Sequence, residues 1–177
     1  MSDLPLTLER LMNVGYVNLR GDANNTEFAA AVRETCETDL PLAANSMNGD
    51  DPRIFWLGPD EWLLVGDSAR MAGLAPALSI ALQHQHAAVN ELSGGQVTFR
   101  LSGADARELL AKGCPLDLHP SVFGAGSCAQ TGLAKAGVLL CGLADGAGFD
   151  LIVRRSFADY LWQWLLRAGH DYRIEVT

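Results

Sequence analysis

The chain has no Cys-x-x-Cys pair, no cluster of lysine or arginine, and no apolar run near the ~18 residues of a membrane-spanning helix. Each gap excludes a class of function. Lys and Arg number 13 against 21 Asp and Glu, a net charge of −8. That balance repels phosphate backbones and anionic lipid surfaces, so neither nucleic acid nor membrane is expected as a partner. The four cysteines, Cys36, Cys114, Cys128 and Cys141, are scattered. They read as free thiols in a reduced, cytoplasmic setting. Met1-Ser2-Asp3-Leu4-Pro5 lacks the basic start and apolar centre of a secretory leader. What the chain does have is apolar residue, 49 % of 177 positions with 19 % charged. That supplies a core without disulfide staples, in one domain or two small subdomains.

Hydrophobic alternation marks strands at Tyr16–Arg20, Ile54–Leu57, Trp62–Gly66 and His86–Leu92. Between them, Asn24 or Asn25 can cap a helix over Thr26–Cys36, with Phe28, Ala29, Val32 and Cys36 on one face. Asp67 or Ser68 can cap a second helix ending near His84, and Gly58-Pro59-Asp60-Glu61 suits a tight turn. The pattern then recurs. Strands are expected at Gln96–Leu101, Ala129–Leu140, Phe149–Val153 and Tyr172–Val176, with helices at Ala106–Lys112 and, capped by Ser156, Phe157–Ala168.

The two halves agree in wording as well as order. Val17-x-Leu19-Arg20 answers Val97-x-Phe99-Arg100, and Leu63-Leu64-Val65 answers Leu151-Ile152-Val153. Cys36-x-x-Asp39-Leu40-Pro41 answers Cys114-x-x-Asp117-Leu118-His119-Pro120. A repeat at one offset means one supersecondary unit written twice. The expected fold is therefore α+β, two tandem β-α-β-β-α-β (ferredoxin-like) units with antiparallel sheets. The first spans 1–94 and the second 95–177, together forming one compact domain, and the sheet faces left free can pack on one another or on a partner.

No candidate site gathers a complete set of chemical groups. Cys114 ends a helix, where the dipole disfavours a thiolate, and its copy Cys36 has no histidine beside it; both read as small apolar residues. Asp117 and Asp39 read as turn carboxylates that accept backbone N–H groups. His84 and His86 alternate, yet no third metal ligand lies nearby, and His170 reads as a turn residue. Gly124–Gly126 and Gly142–Gly148 do not join a strand to a helix, so they read as loops rather than phosphate cradles. No residue is assigned as catalytic, cofactor-binding or metal-binding. On the last helix Phe157, Tyr160, Leu161 and Trp164 share one stripe while Trp162 points elsewhere. Trp62, Arg155 and Trp162 are the candidate subunit-interface residues, because Trp and Arg concentrate binding energy.

Three ordered blocks carry a resemblance that covers the chain from about Tyr16 onward. They are Gly58-Pro59-Asp60-Glu61-Trp62-Leu63-Leu64, then Lys112–Pro120 running on to Cys128–Lys135, then Arg155–Leu165. Together they resemble the gamma subunit of heterotetrameric sarcosine oxidase. The resemblance implies alpha, beta and delta partner subunits and a complex that oxidatively demethylates sarcosine to glycine. It implies FAD, covalent FMN, NAD, zinc and the one-carbon acceptor tetrahydrofolate, all held by other subunits and none by this chain. It also implies a fold like the folate-binding module of aminomethyltransferases and a non-catalytic role within an oxidoreductase. Two alternatives stand beside it. One is a gamma-like subunit of an N-methylglutamate dehydrogenase complex. The other is a freestanding folate-binding or one-carbon transfer module; Lys112-Gly113-Cys114 is similar to the start of a motif in a folate-dependent iron–sulfur maintenance protein, but the Tyr-x-Gly-Gln-Glu continuation is missing.

Overall fold

In the computed structural model, which describes residues 6–177, the chain opens on a strand that no sequence expectation covered, β1 (Leu6–Arg10). Met1–Pro5, read above as no secretory leader, lie outside the described residues. The 13–94 unit follows in the expected order with one unexpected short strand, Met47–Asn48, added: β2 (Val14–Arg20), α1 (Thr26–Cys36), β3 (Met47–Asn48), β4 (Arg53–Gly58), β5 (Glu61–Asp67), α2 (Ser68–Ala81) and β6 (Ala88–Glu91). Asn25 starts α1 by accepting the N–H groups of Glu27 and Phe28 at 3.0 and 3.3 Å. Asp67 starts α2 in the same way, through Ala69 and Arg70. Both caps satisfy helix N–H groups that have no partner within the helix. α2 stops at Ala81, short of the expected end near His84, because turns close from Gln83 to Ile80 and from Gln85 to Leu82.

The sheet order of this unit is β3-β4-β5-β2-β6, antiparallel throughout. Without the short edge β3, that is the 4-1-3-2 order of a β-α-β-β-α-β unit. Strand alternation sends Val17, Leu19, Ile54, Trp62 and Leu64 to the helix side, where Phe28, Val32, Met71 and Leu78 complete a core.

The second unit contains β7 (Gln96–Ser102), α3 (Ala106–Ala111), β8 (Cys128–Leu133), β9 (Ala136–Gly142), β10 (Gly148–Arg154), α4 (Arg155–Ala168) and β11 (Ile174–Val176). Its sheet runs β11-β1-β7-β10-β9-β8. The expected single strand over Ala129–Leu140 is instead a hairpin, folded at Ala134-Lys135 with Ala134 at φ 53°. Ser156 does not cap the last helix: α4 already includes Arg155, and the cap position falls to Arg154, with no side-chain bond.

Two corrections follow from the strand registers. Residues 6–12 belong with 95–177, so a first half spanning 1–94 does not describe the molecule. β1 lies between the unit's first and fourth strands, antiparallel to β7 (Leu8 opposite Leu101) and parallel to β11 (Leu6 opposite Ile174). Leu6 and Leu8 are buried there, which gives the strand a reason to insert. The second correction concerns the repeat. Val17 pairs with Leu64 and Val97 with Val153, so Leu64 is the counterpart of Val153 and Trp62 that of Leu151. The match of Leu63-Leu64-Val65 to Leu151-Ile152-Val153 is one residue out, and one residue moves a side chain to the opposite sheet face.

Candidate functional site

The Lys112–Pro120 block forms a corner that ties the last helix down. α3 ends at Ala111, and the Lys112 ammonium reaches the Ala168 carbonyl at 2.8 Å and the Asp171 carboxylate at 3.0 Å. It also lies 4.6 Å from the Tyr172 ring centroid. That ammonium lowers the pKa of Asp171 by a hydrogen bond and by its charge. At Gly113 a Cβ would sit 2.5 Å from the indole of Trp164, so only glycine admits the ring. The Gly113 carbonyl accepts the N–H of Ala134 at 2.9 Å, and the Tyr160 hydroxyl accepts that of Lys135 at 3.3 Å. Residues of the Lys112–Pro120 block, its Cys128–Lys135 continuation and the Arg155–Leu165 block are therefore neighbours.

The chemically suggestive side chains of this corner are committed to local bonds. Asp117 accepts the N–H of His119 at 2.9 Å, as the turn reading expects. His119 Nδ1 lies 2.7 Å from the Ser121 hydroxyl. The half-buried Cys114 thiol has the Thr131 hydroxyl 4.0 Å away. Arg107 donates to the carbonyls of Leu118 and Phe123 and stacks over Phe149. The upstream copy is similar in outline. Cys36 is buried, and burial pushes its thiol up to about 11 against the opposing pull of Arg70. Leu40 and Leu118, in equivalent positions, are both buried. Among the described residues no group of three or more His, Cys, Asp and Glu could hold a metal ion. His84, His86 and His170 are exposed.

The three interface candidates fare differently. Trp62 is 0 % exposed, and its indole N–H is spent on the Pro41 carbonyl at 2.9 Å. It belongs to the core of its own unit and is corrected as an interface residue. Trp162 is half-buried and tilts onto Phe99 with ring centroids 5.1 Å apart, so most of it serves its own core too. Arg155 is exposed. The buried stripe of α4 is Ala158, Leu161 and Leu165, which rotates Phe157 and Tyr160 outward to 40 % and 37 % exposure. These two aromatics were missed as surface residues. The signal was Ala158, whose small side chain starts an i, i+3, i+7 stripe that excludes both.

Each unit also has an open cleft beside the start of its first helix. In the 13–94 unit the cleft, about 750 Å³, is lined by Arg20, Asn25, Asp60, Gln85 and His86 among others. Arg20 pairs with Asp60 at 3.3 Å, and Asn25 donates to Gln85 at 2.7 Å, so these polar groups are already engaged with one another. The smaller cleft of the second unit, about 210 Å³, is lined mainly by glycine and alanine with Arg107 and Phe149.

Residues 20–171 match the profile of the sarcosine oxidase, gamma subunit family. The chain belongs to this family. The sarcosine oxidase subunit gamma of Corynebacterium sp. strain P-1 is 35 % identical over 150 residues, covering 82 % of this chain and 71 % of that one. A chain of the heterotetrameric sarcosine oxidase from Corynebacterium sp. U-96, solved with pyrrole 2-carboxylate, superposes with a TM-score of 0.89 at 30 % identity, covering 98 % of this chain and 88 % of that one. The aminomethyltransferase of the glycine cleavage system from Bartonella henselae superposes with a TM-score of 0.70 at 13 % identity. That likeness concerns the fold alone, and it takes in 98 % of this chain but 48 % of the transferase. The expected α+β fold with antiparallel sheets, related to that module, stands, with β1 and β11 as the one parallel pair among the described residues. In this gamma-family chain the matched residues include all three motif blocks and leave β1 and β11 outside.

Proposed function

We propose that the chain is the non-catalytic gamma subunit of a heterotetrameric sarcosine oxidase, assembled with alpha, beta and delta subunits in the cytoplasm. The partner subunits oxidise sarcosine to glycine and pass the one-carbon unit to tetrahydrofolate. FAD, covalent FMN, NAD, zinc and the folate are held on those chains. The observation that carries the reading is the superposition on a chain of a heterotetrameric sarcosine oxidase over 98 % of this sequence. It is supported by the local commitments of Asp117, His119 and Arg107, which tie the corner together. The scattered cysteines, with no Cys-x-x-Cys pair among them, fit a reducing compartment.

The docking face on this reading is the outer flank of α4, with Arg155, Phe157 and Tyr160. Exposed aromatics one helical turn apart beside arginine are the side chains that interface centres favour. Co-expression of the chain with the three partner subunits tests the proposal. Co-elution in a flavin-containing complex, through an interface above about 1,000 Å² in total, is the expected result. Elution of this chain alone, while the others assemble without it, would sink the reading.

A further inference from the structure

Cys128 and Cys141 are direct cross-strand neighbours in the β8–β9 hairpin. One step further along the ladder, the Ser127 carbonyl accepts the N–H of Gly142 at 2.8 Å. Hydrogen-bonded and non-hydrogen-bonded pairs alternate in an antiparallel ladder, so the two cysteines occupy a non-hydrogen-bonded pair. Such a pair brings Cα atoms to about 4.5 Å, within the roughly 4.4–6.8 Å that a disulfide spans. Both side chains leave the sheet on the same face, opposite to that of Val138 and Leu140 in the helix-side core. Both residues are 1 % exposed, and both thiols are reduced. The same row continues to Asp150 opposite Cys141, then to Arg100.

No other cysteine competes for either sulfur. Cys114 lies against Thr131, which with Ala129 and Leu133 faces the helix side of β8. The sheet itself therefore separates Cys114 from Cys128. Cys36 is in the core of the 13–94 unit.

We propose that Cys128 and Cys141 are a paired redox site that closes to a cross-strand disulfide when a peroxide reaches it. One sulfur attacks one oxygen of the peroxide; an S–O bond forms, the O–O bond breaks, and the other oxygen leaves as water or alcohol. The second sulfur then attacks the resulting sulfenic acid; the S–S bond forms, the S–O bond breaks, and water leaves. The two thiol protons end in these products, the two sulfurs are each oxidised by one electron, and the peroxide is reduced by two. The register already suits the bond, so the hairpin keeps its pairing. Burial pushes the Cys128 thiol up to about 11, which makes the reaction slow, and the 1 % exposure of both residues restricts it to small oxidants. The site needs nothing from partner subunits and stands apart from the assembly reading.

Mass spectrometry of the full-length folded chain tests this after treatment with hydrogen peroxide, followed by alkylation in denaturant. The expected result is a loss of about two mass units, as two thiols become a disulfide. Two of the four cysteines should escape alkylation, and a reducible Cys128–Cys141 peptide should appear. The same cross-link should form in Cys114→Ser and vanish in Cys141→Ser. Should Cys141→Ser fail to fold, the peptide map of the unaltered chain decides alone. Four alkylatable thiols after treatment, sulfinic or sulfonic acid on Cys128 without a cross-link, or a disulfide to Cys114 would each overturn the proposal.

Discussion

Asp150 is fully buried, and its two carboxylate oxygens take the Nε and Nη2 groups of Arg100 at 2.8 and 3.0 Å. The same carboxylate raises the pKa of Arg100, by hydrogen bonding first and by charge as well. A buried charge that loses its fork is expensive, whereas the intact pair adds little over a well-packed apolar one. Arg100→Met should therefore lower unfolding stability by about 3 kcal/mol in urea melts, the lower end of that effect because the arginine side chain is 35 % exposed. Arg100→Lys should recover only part of the loss, since an ammonium cannot engage both oxygens in one plane. An unchanged melting curve for Arg100→Met would show the pair to be incidental. The cysteines give a pH prediction. Burial raises the thiols of Cys36 and Cys128 to about 11 from a reference of 9.0. Below the reference value both states hold these protons. As pH rises past it, the unfolded chain ionises first, so stability is lost between about 9 and 11. Thermal melts across that range should show the loss, and Cys36→Ala should flatten the slope.

At the scale of elements, Gly113 is where two sequence blocks meet. Replacing it with alanine drives a methyl group into the rigid indole of Trp164, which cannot step aside as a flexible chain end would. Gly113→Ala should cost about 1–3 kcal/mol by overpacking, and it should do so mainly in the 95–177 unit. Hydrogen exchange along α3 and α4 would reveal this; equal loosening of α1 and α2 would contradict it. The same residues explain what was legible in the sequence. Asn25 and Asp67 cap helices through side chains that reach N–H groups two and three residues ahead, so the signal is local. The repeat of Val17 and Leu19 in Val97 and Phe99 survives because these positions face the helix-side cores. β1 was invisible because its partners β7 and β11 lie some 90 and 170 residues on. The Ala134-Lys135 turn has none of the Gly, Asn or Pro that usually mark a hairpin, and Leu133 and Ala136 on either side are both apolar. Trp62 misled for another reason: a tryptophan after a tight turn reads the same whether it points to solvent or, as here, to the Pro41 carbonyl.

For the whole molecule, the question is which surface a partner would use. A chain with net charge −8 has few positive positions to spare, and Arg154 and Arg155 open α4 together on its exposed side. Phe157 and Tyr160 follow them, neither in the buried stripe of Ala158, Leu161 and Leu165. The Tyr160 hydroxyl accepts the Lys135 N–H and so serves the fold, which leaves the Phe157 ring, 40 % exposed and outside that stripe, as the aromatic area to remove. Removing it should leave the monomer unharmed. Phe157→Ser combined with Arg155→Glu should therefore change monomer melting by less than about 0.5 kcal/mol, as surface substitutions do. In the proposed assembly the same pair should weaken association at least tenfold, since truncating one central aromatic commonly costs 2 kcal/mol or about that. Trp162→Ala is the contrast. Its ring rests on Phe99, so the loss should appear in the monomer, on the order of 3 kcal/mol. Co-elution of the variants with partner subunits, beside urea melts of each chain alone, separates the two effects. If Phe157→Ser with Arg155→Glu assembled as the unaltered chain does, the docking face would have to lie elsewhere than α4. If it melted early instead, the two residues would be part of the core after all, and the stripe drawn through Ala158 would be the error.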